Sequence, residues 1–167
     1  TLNSNLKYLN KIDSISVGAI KNLKLNFIRN NNKTDLNILN ADLESLEVVT
    51  SNDVILNTSS AKVIKKSKSI KIYSSDISIK SVLGNSYLSN LSIFSNNFND
   101  IAKNIELNAN IKTNYKFLNY VLTEIDYKSS FGKNLEGNIS GFFKFSNHNK
   151  ESSFKYFFDG VLENFYY

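Results

Sequence analysis

The sequence is marked first by what it lacks: it has no cysteine, proline, methionine or tryptophan, and only six glycines. Without cysteine, the chain can form no disulfide, thiolate nucleophile or cysteine metal site. The only histidine, His148, falls in the turn-like SNHNK, which argues against a histidine zinc cluster and against Ser-His-Asp hydrolysis. No G-x-G-x-x-G motif and no Walker A loop is present. We therefore expect a protein that is not an enzyme and that needs no cofactor or metal.

Basic residues exceed acidic ones, with 20 Lys and Arg against 15 Asp and Glu, for a net charge of +5. Arg29 is the only arginine, and the lysines are spread along the chain. Nucleic-acid binders cluster their basic residues and use arginine forks, so we expect no nucleic-acid partner. The one basic cluster is Lys65, Lys66 and Lys68. It is interpreted either as a solvated loop that protects a sheet edge or as a contact for an anion such as a lipid phosphate.

Long apolar runs are also missing, because no stretch of about 18 apolar residues occurs that could form a transmembrane helix. The chain opens on Thr1. We expect that a signal peptide or a membrane anchor lay upstream of it. Its first ~20 residues are then a linker from that anchor, and they are also the best candidate for a short N-terminal helix.

Alternation of apolar and polar residues is the dominant pattern that is present. In NIELNANIKTNYKF, from Asn104 to Phe117, the odd-numbered positions are Ile, Leu, Ala, Ile, Thr, Tyr and Phe. Period-two alternation indicates a half-buried strand, and this run exceeds the usual length of about five to six residues. A second alternating run from Val121 to Phe131 predicts an antiparallel partner strand, with the turn near residues 118–120.

Shorter alternating blocks, separated by polar turns, fill the rest of the chain. The apolar parity changes between Ile72 and Ile77, and the intervening YSSD predicts a bulge or a tight corner. No linker-like break in composition occurs. We predict one all-β domain over residues 1–167, with ten or more strands that are mostly antiparallel because their connections are short.

The apolar stripes of these strands have two interpretations. They form the closed core of a β-sandwich, or their inward faces line an open apolar groove that holds lipid. The candidates for lining such a groove are Ile70, Ile72, Ile105, Leu107, Ile111, Tyr115, Phe117, Ile125, Tyr127, Phe143 and Phe145.

Several phrases stand in a characteristic order from Ile20 onward. IKNLKLNF, RNNNKTD and LNILNADLE come first, then NIELNANIKTNYKFLNYVLTEIDYKS, FGKNLEGNISG and the aromatic SFKYFFDGVLENFYY. This order resembles the periplasmic lipopolysaccharide-transport bridge proteins, the LptA/LptC family, and in particular their membrane-anchored C component. The resemblance covers most of the chain and rests mainly on alternation and on turn positions.

The resemblance implies an elongated, twisted antiparallel β-jelly roll, a V-shaped trough in which acyl chains of lipopolysaccharide lie between two parting sheets. It implies a periplasmic, non-catalytic bridge component of outer-membrane biogenesis, anchored to the inner membrane by a segment outside this chain. Its partners would be neighbouring β-jelly-roll proteins, bound through sheet edges, and an inner-membrane transporter complex. The alternatives are an AsmA/TamB-type phospholipid-transfer fragment and a surface adhesin-like β-sandwich that binds glycan or protein.

Overall fold

The described residues form one antiparallel sheet of eight strands, ordered β1 to β8 so that neighbours in the chain are neighbours in the sheet. The computed structural model describes residues 12–30, 33–51, 53–98, 104–124, 136–148 and 155–166. The strands are β1 (Ile12–Asn30), β2 (Lys33–Thr50), β3 (Ile55–Lys66), β4 (Ser69–Ser81), β5 (Gly84–Ser95), β6 (Asn104–Asn114), β7 (Glu136–His148) and β8 (Lys155–Tyr166), and one helix, α1 (Tyr115–Glu124), follows β6. The predicted elongated, antiparallel all-β class is confirmed. Its strands form one continuous hydrogen-bonded sheet.

The strands are fewer and longer than the alternating blocks indicated. They run from 11 residues in β6 to 19 in β1, which corresponds to lengths of about 36 to 63 Å. The described residues form eight strands and not the ten or more expected, because blocks of opposite parity belong to one strand. Ile72 and Ile77, for example, both lie in β4.

The change of parity comes from an inserted residue in each of four adjacent strands. Two cross-strand rows show it: Ala41, Val63, Ile72, Ile93 and Leu107 form one, and Val48, Leu56, Ile79, Ser86 and Thr113 form the other. Leu107 and Thr113 lie an even number of positions apart on β6, so both rows share one face of the sheet. Ile72 and Ile79 lie an odd number apart on β4, so a residue is inserted between them. The same odd spacing on β2, β3 and β5 confirms the bulge expected at YSSD.

We call the residues at this level the bulge row: Ser45, Ser59, Ser60, Ser75 and Asn90. Ser45 and Asn90 have positive φ angles of 52° and 53°. The Ser74 hydroxyl oxygen lies 3.0 Å from the Ser60 carbonyl oxygen and 2.9 Å from that of Asp76, so its one hydrogen can be donated to either backbone oxygen where the ladder is interrupted. Because each bulge bends its strand and increases the local twist, four adjacent bulges bend the sheet along one line.

Helix α1 replaces the predicted end of the long strand. β6 ends at Asn114, and the prediction of a strand through Tyr115 and Phe117 was wrong. Asn114 caps the helix, because its Oδ1 accepts the Phe117 N–H at 2.7 Å and so satisfies a donor that has no partner within the helix. Asn114 Nδ2 also donates to the Leu83 carbonyl at 2.7 Å, which joins this point to the β4–β5 turn.

Two further expectations meet the limits of the described chain. The partner strand predicted from Val121 is helix as far as Glu124, and its remainder, residues 125–131, lies outside the described residues. The N-terminal helix was wrong for residues 12–20, which belong to β1. Residues 1–11 lie outside the described part of the chain.

Candidate functional site

The candidate site is the face of the sheet that carries both cross-strand rows, which we call the inner face. Its apolar side chains come from all eight strands and include Ile15, Leu39, Ala41, Val48, Leu56, Val63, Ile70, Ile72, Ile79, Ile93, Ile105, Leu107, Ile111, Ile139, Phe143, Phe145, Phe158 and Leu162. Alternating residues on the opposite side, the outer face, are mostly Ser, Asn, Lys and Asp. The sheet therefore has one mainly apolar face and one mainly polar face.

The inner face is only partly covered within the described residues. Helix α1 lies over one end of it, where Phe117 is buried in a cluster with Val54 and Ile79. Ser86 and Ser95 are the largest described side chains that are less than 2% exposed, and Leu107 and Phe145 are only half-buried. A closed sandwich buries its large apolar side chains between two sheets. The described residues instead leave the apolar side chains of this face partly exposed.

Seven of the predicted groove residues lie together on the inner face: Ile70, Ile72, Ile105, Leu107, Ile111, Phe143 and Phe145. Tyr115 and Phe117 lie on α1 instead, where Tyr115 meets the Phe165 ring edge-to-face with centroids 5.6 Å apart. Ile125 and Tyr127 lie outside the described residues.

Sequence reasoning missed the part of the inner face contributed by β2 and β3, such as Val48, Leu56 and Val63. The alternation of these blocks was visible, but the bulge row reverses their parity. A common face could therefore not be assigned without the strand pairing.

The apolar surface continues to both edge strands. On β1, Ile15 is 59% exposed and pairs with Val48, and on β8, Leu162 is 58% exposed and pairs with Ile139. Among the described strands, β1 and β8 each have a neighbour on one side only. Exposed apolar side chains on such an edge mark an interaction site, because an edge strand can accept a further strand. Both sheet edges are therefore suited to pairing with another strand.

Of the three predicted anion contacts, Lys65 has a different place from the others. It lies on the inner face between Leu39 and Ile70 and is only 4% exposed, whereas Lys66 and Lys68 are exposed. Its ammonium donates to the carbonyls of Leu36 and Ser67 and lies 5.0 Å from the centre of the Phe98 ring. The Lys65 ammonium is thus held by groups of the protein itself, and an anion contact at this cluster falls to Lys66 and Lys68.

Replacing Lys65 with methionine is expected to destabilise the protein by about 1–3 kcal/mol, because the carbonyls of Leu36 and Ser67 would lose a charged donor in a buried place. The measurement is the free energy of unfolding from urea titration. Lys66→Met is the matched control and should change that energy by less than about 0.5 kcal/mol. Equal effects of the two substitutions would contradict the assigned role of Lys65.

A charged cluster joins α1 to the last two strands. Glu136 accepts from the Lys116 ammonium and, at 2.6 Å, from the Tyr166 hydroxyl. Two hydrogen bonds hold the pKa of Glu136 below its usual value: the one from Lys116 has the larger effect, and the one from Tyr166 adds to it. The bond to Glu136 raises the pKa of Tyr166 above its usual value. The cluster fastens the start of the helix to the end of β8.

Lys116→Met is expected to raise the pKa of Glu136 toward the ordinary glutamate value, because the strongest donor to the carboxylate is removed. Carbon-detected NMR of the side-chain carboxyl during a pH titration measures this. In the wild type, the contribution of this pair to stability is present above the ordinary glutamate pKa and is lost as the pH falls through the lowered one. Lys112→Met is the control, and an unchanged pKa of Glu136 in Lys116→Met would refute the pairing.

Two further features were looked for in the described part of the chain: a group of metal-binding side chains and a membrane-spanning helix. No group of three or more His, Cys, Asp or Glu side chains there could hold a metal ion. No described helix is both long and apolar enough to span a membrane.

Compared with protein-family models, curated proteins and solved structures, the chain matches none. The class of protein that the fold defines is an open antiparallel sheet with one apolar face.

Proposed function

We propose that the protein is a non-catalytic lipid carrier that holds acyl chains on the inner face. The observation that carries this proposal is the extent of that face, which runs across all eight strands. Its large side chains Leu107 and Phe145 are only half-buried. Monomeric soluble proteins rarely leave so large an apolar surface without a partner. Acyl chains are suitable occupants because each buried CH₂ contributes about 0.8 kcal/mol without a directional contact.

We further propose lipopolysaccharide as the cargo and the periplasm as the place of transport, on the basis of the resemblance in motif order to the LptA/LptC family. Lys66 and Lys68 lie exposed at the β3–β4 turn, where they can meet phosphates of a lipid head group. The partners of this proposal are neighbouring β-jelly-roll proteins and an inner-membrane transporter. They would add strands to β1 or β8 by β-augmentation, and so continue the apolar face from one protein to the next.

Native mass spectrometry of protein purified without detergent from a bacterial periplasm tests the proposal. We expect a bound species with the mass of lipopolysaccharide, which is lost in Leu107→Asp and Phe145→Asp. The matched controls are Asn108→Asp and Lys144→Asp, neighbours on the outer face that should keep the lipid. Circular dichroism of all four variants is the control for correct folding. A lipid-free wild type would refute the carrier, and phospholipid masses alone would refute lipopolysaccharide as its cargo.

A further inference from the structure

We propose that the outer face binds a neutral oligosaccharide in a groove across β5, β6 and β7. This groove has a volume of about 430 Å³, and its outward side chains are Tyr87, Ser89, Asn110, Lys112, Ser140 and Phe142. It lies on the side of the sheet opposite to the inner face, so it is a separate site with a different ligand.

The aromatic residues are the first observation. The outer face is mostly polar but carries several exposed aromatic rings, and two of them stand in this groove: Tyr87 is 53% exposed and Phe142 is 40% exposed. Tyr87 pairs through Lys112 with Ser140, and Ser89 pairs through Asn110 with Phe142. Because these two rows are adjacent on the same face, the two rings stand at opposite corners of the groove, about 12 Å apart from strand spacing and rise.

The side chains between the rings are the second observation. Lys112 and Asn110 offer hydrogen-bond donors and an amide acceptor, and Ser140 offers a hydroxyl group. A sugar ring presents a flat apolar face that packs on an aromatic ring, and hydroxyl groups around its rim that bond to such side chains. The groove therefore matches a sugar in both its apolar and its polar parts.

A second depression indicates that the ligand is a chain of sugars. It has a volume of about 440 Å³, includes the exposed ring of Tyr73 and reaches from Asp42 on β2 to Ser92 on β5. Its Asn90 is the chain neighbour of Ser89 in the first groove, so the two depressions meet on β5. Together they cross six strands, a distance of about 24 Å.

The charge of this band favours a neutral ligand. Asp42 lies 3.8 Å from the Lys62 ammonium, which leaves Lys112 as the remaining charged side chain among the residues that line the two depressions. Single-stranded nucleic acid also stacks on aromatic side chains, but its binding grooves carry many basic residues along the backbone path. A neutral oligosaccharide is thus favoured over a nucleic acid.

Isothermal titration calorimetry with maltohexaose, cellohexaose and chitohexaose tests the site. We expect saturable binding of at least one of the three, weakened at least tenfold in Tyr87→Ala and in Phe142→Ala. The conservative Phe142→Tyr and the control Phe157→Ala, an exposed ring on β8 outside the groove, should bind as the wild type does. Leu107→Asp, a substitution on the inner face, should also leave sugar binding unchanged, which would show that the sugar site is separate from the lipid site.

The site is overturned if none of the three sugars gives a saturable heat at millimolar concentration. It is equally overturned if Phe157→Ala weakens binding as much as Tyr87→Ala does. A decathymidylate that competes with the bound sugar would assign the groove to nucleic acid and so refute the proposal. Circular dichroism of each variant shows whether a loss of binding follows from unfolding. Phe142→Tyr keeps the aromatic ring, so normal binding by this variant together with weak binding by a folded Phe142→Ala would show that the ring contacts the sugar.

Discussion

Replacing Gly141 with alanine is expected to destabilise the protein by about 3 kcal/mol or more, which is among the largest effects that a single methyl group can cause. Gly141 on β7 pairs directly with Gly160 on β8. A Cβ atom on Gly141 would lie 2.5 Å from the Cα atom of Gly160 and within 3 Å of the Asp159 carbonyl oxygen. These are backbone atoms, so no side chain can turn aside to make room, and β8 would have to move away from β7.

Urea titration followed by circular dichroism measures this effect. The control is Ser140→Ala, which removes a hydroxyl group at the neighbouring position without adding an atom near β8. A Gly141→Ala protein with a free energy of unfolding within about 1 kcal/mol of the wild type would show that the two strands do not approach so closely at this point. Gly160→Ala should behave like Gly141→Ala, because its Cβ would lie within 3 Å of the Ser140 carbonyl oxygen.

Replacing Phe117 with alanine is expected to cost about 3–5 kcal/mol, the range measured for large buried aromatic side chains. Phe117 is 7% exposed and packs with Val54 and Ile79, so the substitution removes a buried contact between α1 and the sheet. Hydrogen exchange should show a second effect: amides of residues 118–124 should exchange faster, because the helix loses its anchor on the inner face.

The matched control for this substitution is Phe157→Ala, since Phe157 is exposed on β8. It should change the free energy of unfolding by less than about 1 kcal/mol. If Phe117→Ala and Phe157→Ala destabilise the protein equally, or if exchange in α1 is unchanged by Phe117→Ala, then the helix is not held on the sheet by this ring.

Alternation of residue types was sufficient to predict the all-β class and the common face of β6 and β7. On β6, Ile105, Leu107 and Ile111 keep one parity from end to end, and the structure places them on one face of the sheet. The sequence could not show which blocks join into one strand. A parity change looks the same whether the chain turns back or merely inserts a residue, and only the pairing across β2 to β5 distinguishes the two.

Helix α1 shows the converse problem, because YKFLNYVLTE fits both periods. Tyr115 and Phe117 continue the alternation of β6, while Phe117 and Val121 are spaced four apart as on a helix. The deciding signal was local: Asn114 is a favourable N-cap residue immediately before the run. The buried place of Lys65 had no comparable signal, since it depends on carbonyl groups of Leu36 and Ser67 that only folding brings near.

The central claim is that lipid acyl chains lie on the inner face, and a crosslinking scan along β6 tests it most directly. A photoreactive benzoylphenylalanine is placed in turn at positions 105 to 112 and irradiated with lipopolysaccharide that carries a radiolabelled acyl chain. The predicted result is capture at Ile105, Leu107, Ala109 and Ile111, with little capture at the four even-numbered positions of the scan. Capture without this alternation, or capture at Asn108 and Asn110 instead, would contradict the account.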